Sequence, residues 1–215
     1  MTFKPPPHVL DILESEGCIV VLGSGRSGKT LLGHLIANYG SKPVVALAYP
    51  QNAIDECPDD WTSCDPLDVF SLKDCILLVD DAALFANARD FGSKWSKKWV
   101  QFQTIISHKN ITILFIVQSS NLLDIGTLRS QRMAILYKYS DATNVSYERD
   151  EFKRVAMVTR QVIGRLRQQF PQVHPKSWVF DMTLGKAWHH PIPEHWTPTL
   201  SVPYRDYVIQ MGELA

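Results

Sequence analysis

Five short apolar runs divide the chain, and each is halted by a turn-forming or polar residue. Cys18-Ile19-Val20-Val21-Leu22 stops at Gly23, Pro43–Tyr49 at Pro50, Cys75-Ile76-Leu77-Leu78-Val79 at Asp80, Ile111–Val117 at Gln118, and Met133–Tyr139 at Ser140. The third is continuously apolar rather than alternating, the pattern of a parallel strand covered on both faces. Between the runs the period lengthens. Leu31, Leu32, Leu35 and Ile36 repeat at helical spacing towards Tyr39, with Gly40 as a natural stop. Trp95, Trp99, Phe102 and Ile106 predict a long amphipathic helix between Phe85 and His108. Phe152, Val155, Ala156, Val162, Ile163 and Leu166 predict another from about Tyr147 to Phe170. Strands alternating with helices predict an α/β domain, a three-layer sandwich around a mostly parallel central sheet.

The two ends read differently. Residues 1–14 form a proline-bearing arm and a short amphipathic segment carrying Val9, Leu10, Ile12 and Leu13, ending near Gly17. Residues 51–73 show turn signals and no clear period. Beyond Pro171 the texture turns aromatic and proline-rich: Trp178–Thr183 alternates as a half-buried strand, Leu184-Gly185 turns, and Lys186-Ala187-Trp188 returns as a hairpin partner. Residues 171–215 are therefore expected to form a small C-terminal β-hairpin followed by a strap, all within a single domain spanning 1–215. His189, His190 and His195 lack a cysteine or carboxylate at ligand spacing, so an extended surface strap is expected rather than a metal cluster.

The first apolar run leads into Gly23-Ser24-Gly25-Arg26-Ser27-Gly28-Lys29-Thr30, which fits G-x-x-x-x-G-K-[ST] at every fixed position. Strand, glycine loop and helix follow in the order a phosphate cradle needs. Glycines let the backbone approach the phosphates, and the helix N-terminus offers unpaired N–H groups. Lys29 would reach the β- and γ-phosphates, and Thr30 would offer its hydroxyl to Mg²⁺.

Charge adds a constraint. Lysines and arginines number 22 and acidic residues 22 in a chain of 215 residues, so net charge is zero and any contact with nucleic acid must come from a local patch or from several subunits together. The patch expected is Lys94, Lys97 and Lys98 with Arg89 nearby. Lys153, Arg160, Arg165 and Arg167 read as a solvated helix face. Cys18, Cys57, Cys64 and Cys75 contain no C-x-x-C pair, which fits a reducing compartment. Neither a secretion signal nor a membrane-spanning run is recognisable, so an intracellular, soluble protein is expected.

A phosphate loop alone names no reaction, and the ends of the other strands must supply it. Asp80 closes an apolar strand as a magnesium-holding carboxylate does. Asp81 beside it is the candidate to orient or deprotonate the attacking water, and it is equally a helix N-cap for Ala82-Ala83-Leu84. Gln118 ends the fourth run where a side chain could touch both γ-phosphate and water. An Asn-Lys-x-Asp guanine-reading segment is absent, as is an arginine-rich lid. These exclusions weigh against a GTPase and a small-molecule kinase.

The loop from Gly23 to Thr30, the strand ending Asp80-Asp81, the helix through Ser107-His108-Lys109-Asn110 and the strand ending Val117-Gln118 together resemble the FtsK–HerA superfamily of DNA-pumping ATPases. Within it the compact size resembles the genome-packaging ATPases of viruses with internal membranes and double jelly-roll capsids. The resemblance covers roughly residues 15–140. It implies ATP and Mg²⁺ as cofactors, double-stranded DNA as partner, a homo-oligomeric ring, a capsid or portal protein as contact, and residence in the host cytoplasm or on the virion. Gln118 matches the family's strand-end glutamine sensor. Arg132 or Arg129, in the segment before the fifth strand, lies where a ring neighbour's site would be completed, with Arg89 as a further choice. The family usually carries Glu after the magnesium-binding Asp, whereas this chain has Asp81, one methylene shorter. The rival readings are a nucleotide-switched assembly or secretion protein and a nucleotide kinase.

Overall fold

The computed structural model describes residues 4–81, 94–123, 132–139 and 145–204. Its centre is an eight-stranded sheet in the order β3-β2-β4-β5-β1-β6-β7-β8. The strands are β1 (Gly17–Leu22), β2 (Val44–Leu47), β3 (Thr62–Cys64), β4 (Ile76–Val79), β5 (Thr112–Val117), β6 (Met133–Tyr137), β7 (Trp178–Asp181) and β8 (Lys186–His189). The strands β3, β2, β4, β5, β1 and β6 are paired in parallel, and β7 and β8 close that edge antiparallel. All five expected apolar runs are strands of this sheet. The expected hairpin is also present, and it extends the central sheet through β6–β7 pairing.

Helices cover both faces, which is why the strands are apolar without alternation. Val20, Leu22, Leu77, Val79, Phe115 and Tyr137 point to the side covered by α4 (Lys94–Ile105) and α5 (Asp150–Gln169), where Trp99, Phe102, Phe152 and Ile163 are buried. Ile19, Val21, Leu78 and Ile116 point to the opposite side, packed by α1 (Pro7–Glu14) and α2 (Lys29–Ala37) through Leu13, Leu32 and Ile36. Residues one apart along each strand thus serve different layers.

Two departures from the sequence reading have local causes. The segment 51–73, expected to be irregular, contains the short helix α3 (Gln51–Ile54) and the edge strand β3, whose Thr-Ser-Cys sequence is too short and too polar to show a period. The aromatic strap does not lie on the surface as expected: His190 is buried, His195 is half-buried, and Leu200 is fully buried with the α1–α2 layer. Among the described residues no helix is long and apolar enough to cross a membrane. All four cysteines are free thiols, three of them buried.

Candidate functional site

Parallel pairing brings the carboxyl ends of β1, β4 and β5 together, and these ends carry the phosphate loop, Asp80-Asp81 and Gln118. Because β5 lies between β4 and β1, Gln118 stands between the acidic pair and the loop. Gly25, Arg26, Lys29, Thr30, Asp80, Asp81 and Gln118 line one cavity of about 420 Å³. That is within the usual range for a small-molecule site.

The loop's shape depends on two glycines. Gly23 has φ of 146°, and a Cβ there would come within 2.1 Å of the Lys138 carbonyl oxygen; Gly28 has φ of 87°, with the Lys176 side chain 3.1 Å from where its Cβ would sit. Side chains at either position would force the loop off its neighbours. Arg26, in the same turn, also adopts a left-handed conformation, with φ of 61°.

Inside the cavity, charges of both signs are buried without being paired to each other. Lys29 Nζ donates to the Ser24 carbonyl oxygen at 2.8 Å. Among the described residues no ion pair joins Lys29 to either carboxylate. Burial lowers Lys29 to about 8, opposed by the charges of Asp80 and Asp81. Burial likewise raises Asp80 to about 6, against hydrogen bonding from the Asp81 amide. Asp81 is raised by the same cause and drawn back by Lys29. A site that keeps a buried ammonium apart from one buried and one half-buried carboxylate suits a ligand that brings anionic oxygens to one and a cation to the other.

The donor set fits Mg²⁺ and phosphate. Thr30 Oγ1 donates to Asp80 Oδ1 at 3.3 Å, so a hydroxyl and a carboxylate, both hard oxygen ligands, converge beside the loop. Ser27 is buried, and its hydroxyl finds no partner among the described residues. An orphaned hydroxyl inside a phosphate-shaped loop is the observation expected of a site that completes its hydrogen bonds with a ligand. Asp81 has φ of 48° and donates its amide to Asp80 Oδ1 at 2.9 Å. Its expected role as a cap involves residues 82–84, which lie outside the described residues.

Gln118 is exposed at the cavity wall, and the turn after it is pinned. Glu148, buried, accepts from the Ser120 amide at 2.9 Å, from Ser120 Oγ at 2.6 Å and from the Tyr137 hydroxyl at 2.8 Å. Arg149 adds bonds from Nε to the Ser120 carbonyl and from Nη2 to the Leu123 carbonyl.

Other expected residues lie away from this cavity. Arg132 precedes β6 at the opposite end of the sheet, one strand length or roughly 17 Å at about 3.3 Å per residue, and pairs with Glu16 at 2.7 Å. Lys94, Lys97 and Lys98 are exposed on α4 above buried Trp99 and Phe102. Arg89 and Arg129 lie outside the described residues. His190 and His195 are held by different neighbours, and among the described residues no group of three or more metal-ligating side chains gathers.

Sequence reasoning missed Tyr49, His34 and Lys138. Tyr49 donates to Asp80 Oδ2 at 3.2 Å, and His34 Nε2 is 3.0 Å from the Tyr49 hydroxyl. Lys138 is fully buried behind the loop, donating to the Lys176 carbonyl and to His190 Nε2 at 2.9 Å. A signal existed: each is a polar group inside an otherwise apolar helix or at the end of an apolar strand. The strap also enters the site, since Ser201, Val202, Pro203 and Tyr204 form one wall of the cavity.

Comparison with solved structures bears on the fold. The chain is similar to the genome packaging NTPase B204 from Sulfolobus turreted icosahedral virus 2 in complex with ATP-gammaS, with a TM-score of 0.50 at 12% identity over 82% of this chain and 98% of that one. The same protein in complex with sulfate gives a TM-score of 0.50 at 13% identity over 85% and 100%. No protein-family model and no curated protein matches the sequence. The likeness at this identity is one of fold: the chain has the mostly parallel α/β fold of P-loop NTPases, as the resemblance read from its motifs implied.

Proposed function

We propose that this protein is a Mg²⁺-dependent ATPase of the FtsK–HerA type that uses hydrolysis to translocate double-stranded DNA, in packaging a viral genome into a capsid. The observation that carries the reading is the convergence of Lys29, Thr30, Asp80, Asp81 and Gln118 on one cavity at the carboxyl ends of three parallel strands. The packaging NTPase of similar fold, solved with ATP-gammaS, supports a nucleoside triphosphate as the ligand.

In this reading the backbone from Gly23 to Gly28 cradles the phosphates and Lys29 exchanges its Ser24 carbonyl for their oxygens. Thr30 and Asp80 hold Mg²⁺, which when bound neutralises charge on the β- and γ-phosphates. Asp81 orients or deprotonates water, with its carboxylate made more basic by burial, and Gln118 fixes that water's position from the β5 end. A ring assembly would add Arg132 or Arg129 from a neighbour, and Lys94, Lys97 and Lys98 would meet the DNA phosphates. A capsid or portal protein would be the anchoring partner.

The test is phosphate release from ATP with and without duplex DNA. Mg²⁺-dependent release stimulated by DNA is expected. Mg²⁺-dependent turnover indifferent to DNA would replace the motor with a nucleotide-switched assembly protein, and no turnover would remove the ATPase reading.

A further inference from the structure

The carboxylate of Asp80 has two oxygens with different neighbours. Oδ1 faces the phosphate loop through Thr30 and takes the Asp81 amide, while Oδ2 faces away and takes the Tyr49 hydroxyl. Behind Tyr49 a line of polar side chains runs through an apolar layer to the C-terminal strap. His34 Nε2 lies 3.0 Å from the Tyr49 hydroxyl, and His34 Nδ1 lies 3.3 Å from His195 Nε2. Asn38 Nδ2 lies 3.4 Å from His195 Nδ1, and Trp61 Nε1 donates to Asn38 Oδ1 at 3.1 Å.

The two ends of this line fix every proton in it. An indole N–H can only donate, and a carboxylate can only accept. Trp61 therefore holds the Asn38 amide with its oxygen inward, leaving the amide nitrogen to donate to His195 Nδ1. With Nδ1 accepting, His195 carries its proton on Nε2 and donates it to His34 Nδ1. His34 must then carry its own proton on Nε2, aimed at the Tyr49 oxygen. Tyr49 has a single hydroxyl proton, and it goes to Asp80. Reversing any link would set two donors or two acceptors against each other. Burial of His34, which keeps it neutral with its protonation lowered to about 3, agrees with one proton per ring.

We propose that Tyr49, His34 and His195 are positioning residues for Asp80, forming a one-way hydrogen-bonded chain from Trp61 to Asp80 Oδ2 that holds the carboxylate plane so that Oδ1 faces Thr30. The proposal rests on the reading of Asp80 as the Mg²⁺-holding carboxylate. His34 on α2 and Asn38 at its C-cap are one helical turn apart and grip the two nitrogens of His195, so the same helix that begins with Lys29 and Thr30 also orients the acid opposite them. The strap residue His195 is 161 positions from His34 in the chain. Partners that orient a metal-holding group usually matter about 10- to 100-fold in metal affinity or activity.

The first measurement uses the ¹⁵N-labelled full chain without nucleotide or metal. Two-bond ¹H–¹⁵N correlations at neutral pH should show both His34 and His195 as the neutral Nε2–H tautomer. A proton on Nδ1 of either ring overturns the chain, whatever the enzyme's activity. The second uses Tyr49→Phe, which deletes only the hydroxyl, and His195→Ala, with His195→Gln as the variant that keeps a donor and an acceptor. The Mg²⁺ concentration giving half-maximal ATP hydrolysis should rise about tenfold in Tyr49→Phe and in His195→Ala, with His195→Gln closer to wild type. A wild-type Mg²⁺ requirement in folded Tyr49→Phe overturns the proposal, and should that variant fail to fold, the same result in His195→Ala does so. If the wild type shows no Mg²⁺-dependent hydrolysis, the ATPase reading fails, and the tautomers still decide whether the chain exists.

Discussion

Thr30 Oγ1 and Asp80 Oδ1 lie 3.3 Å apart although 50 residues separate them in the chain. Parallel pairing of β1 with β5 and of β5 with β4 brings them together, because it aligns the carboxyl ends of all three strands. The phosphate loop and the acidic pair are thus fixed by the register of a buried sheet, and their separation does not depend on any long loop.

Lys29→Ala is expected to abolish ATP turnover. Its ammonium is the cation held inside the loop, and Arg26, though in the same cavity, stands in a left-handed turn at a position outside the glycine-lysine pattern. Charge-assisted bonds to phosphate are about twice as strong as neutral ones, so no polar neighbour replaces the loss. Phosphate release at wild-type rate in folded Lys29→Ala would remove the central assignment.

The two carboxylates should separate in their effects. Asp80→Asn removes the group beside Thr30 and is expected to weaken Mg²⁺-nucleotide binding, whereas Asp81→Asn should bind nucleotide normally and hydrolyse about 10² to 10⁴ times more slowly. Nucleotide affinity measured beside turnover distinguishes them. Normal hydrolysis by Asp81→Asn would assign the water to another residue.

Most of the fold could be read in the sequence because five of the eight strands are predominantly apolar runs, and burial on two faces leaves that mark wherever a strand is long enough. The edge strand Thr62–Cys64 left none, since three residues with one flank exposed carry no period. The placement of the Gly23–Thr30 loop and of Asp80 at the ends of adjacent buried strands is legible because the turn needs glycine and the apolar run stops at a carboxylate. Tyr49 and His34 stand out only as polar groups in apolar elements, and their roles, like that of His195, arise from contacts across 15 to 161 residues that only the packed layers create. The strap departs from the surface expectation for the same reason: prolines and histidines look like surface until the layers that bury His190 and the cavity walled by Pro203 and Tyr204 are built.

Glu148 should prove a support for the Gln118 turn. It accepts three hydrogen bonds in a buried place, two of them from Ser120, two residues beyond Gln118. Glu148→Ala would leave those donors without an acceptor, at a cost of about 3 kcal/mol or more. Thermal unfolding and turnover should both fall. Unchanged turnover in a destabilised variant would show that Gln118 does not depend on the pinned turn.

Lys94→Ala, Lys97→Ala and Lys98→Ala combined should lower DNA stimulation and flatten the salt dependence of DNA binding while leaving DNA-free hydrolysis intact. The three lysines lie on the exposed side of α4 and their helix is anchored by Trp99, Phe102 and Ile106, so removing them disturbs no core. Every lysine that neutralises a DNA phosphate adds nearly one to the logarithmic salt slope, and its removal takes that increment away. An unchanged slope would move the contact to exposed Arg160 and Arg165 on α5.

Acid should destabilise the native state through His34. Burial lowers its folded protonation to about 3 from an ordinary 6.5, with His195 adding a smaller push in the same direction. A base harder to protonate when folded contributes its stability fully above pH 6.5, where neither state is charged, and loses it as pH falls from 6.5 towards 3, where only the unfolded chain takes up the proton. The slope is about 1.4 kcal/mol per pH unit for one group. Buried His190 is lowered as well and acts in the same direction, whereas Asp80, raised to about 6, acts oppositely below that pH. The difference between wild type and His34→Gln isolates the single residue: unfolding free energy followed from pH 7 to pH 5 should fall less steeply in the variant, by up to about 1.4 kcal/mol per unit. Parallel curves would mean that His34 takes up its proton in the folded chain as readily as in the unfolded one, and would sever the link between its burial and acid stability.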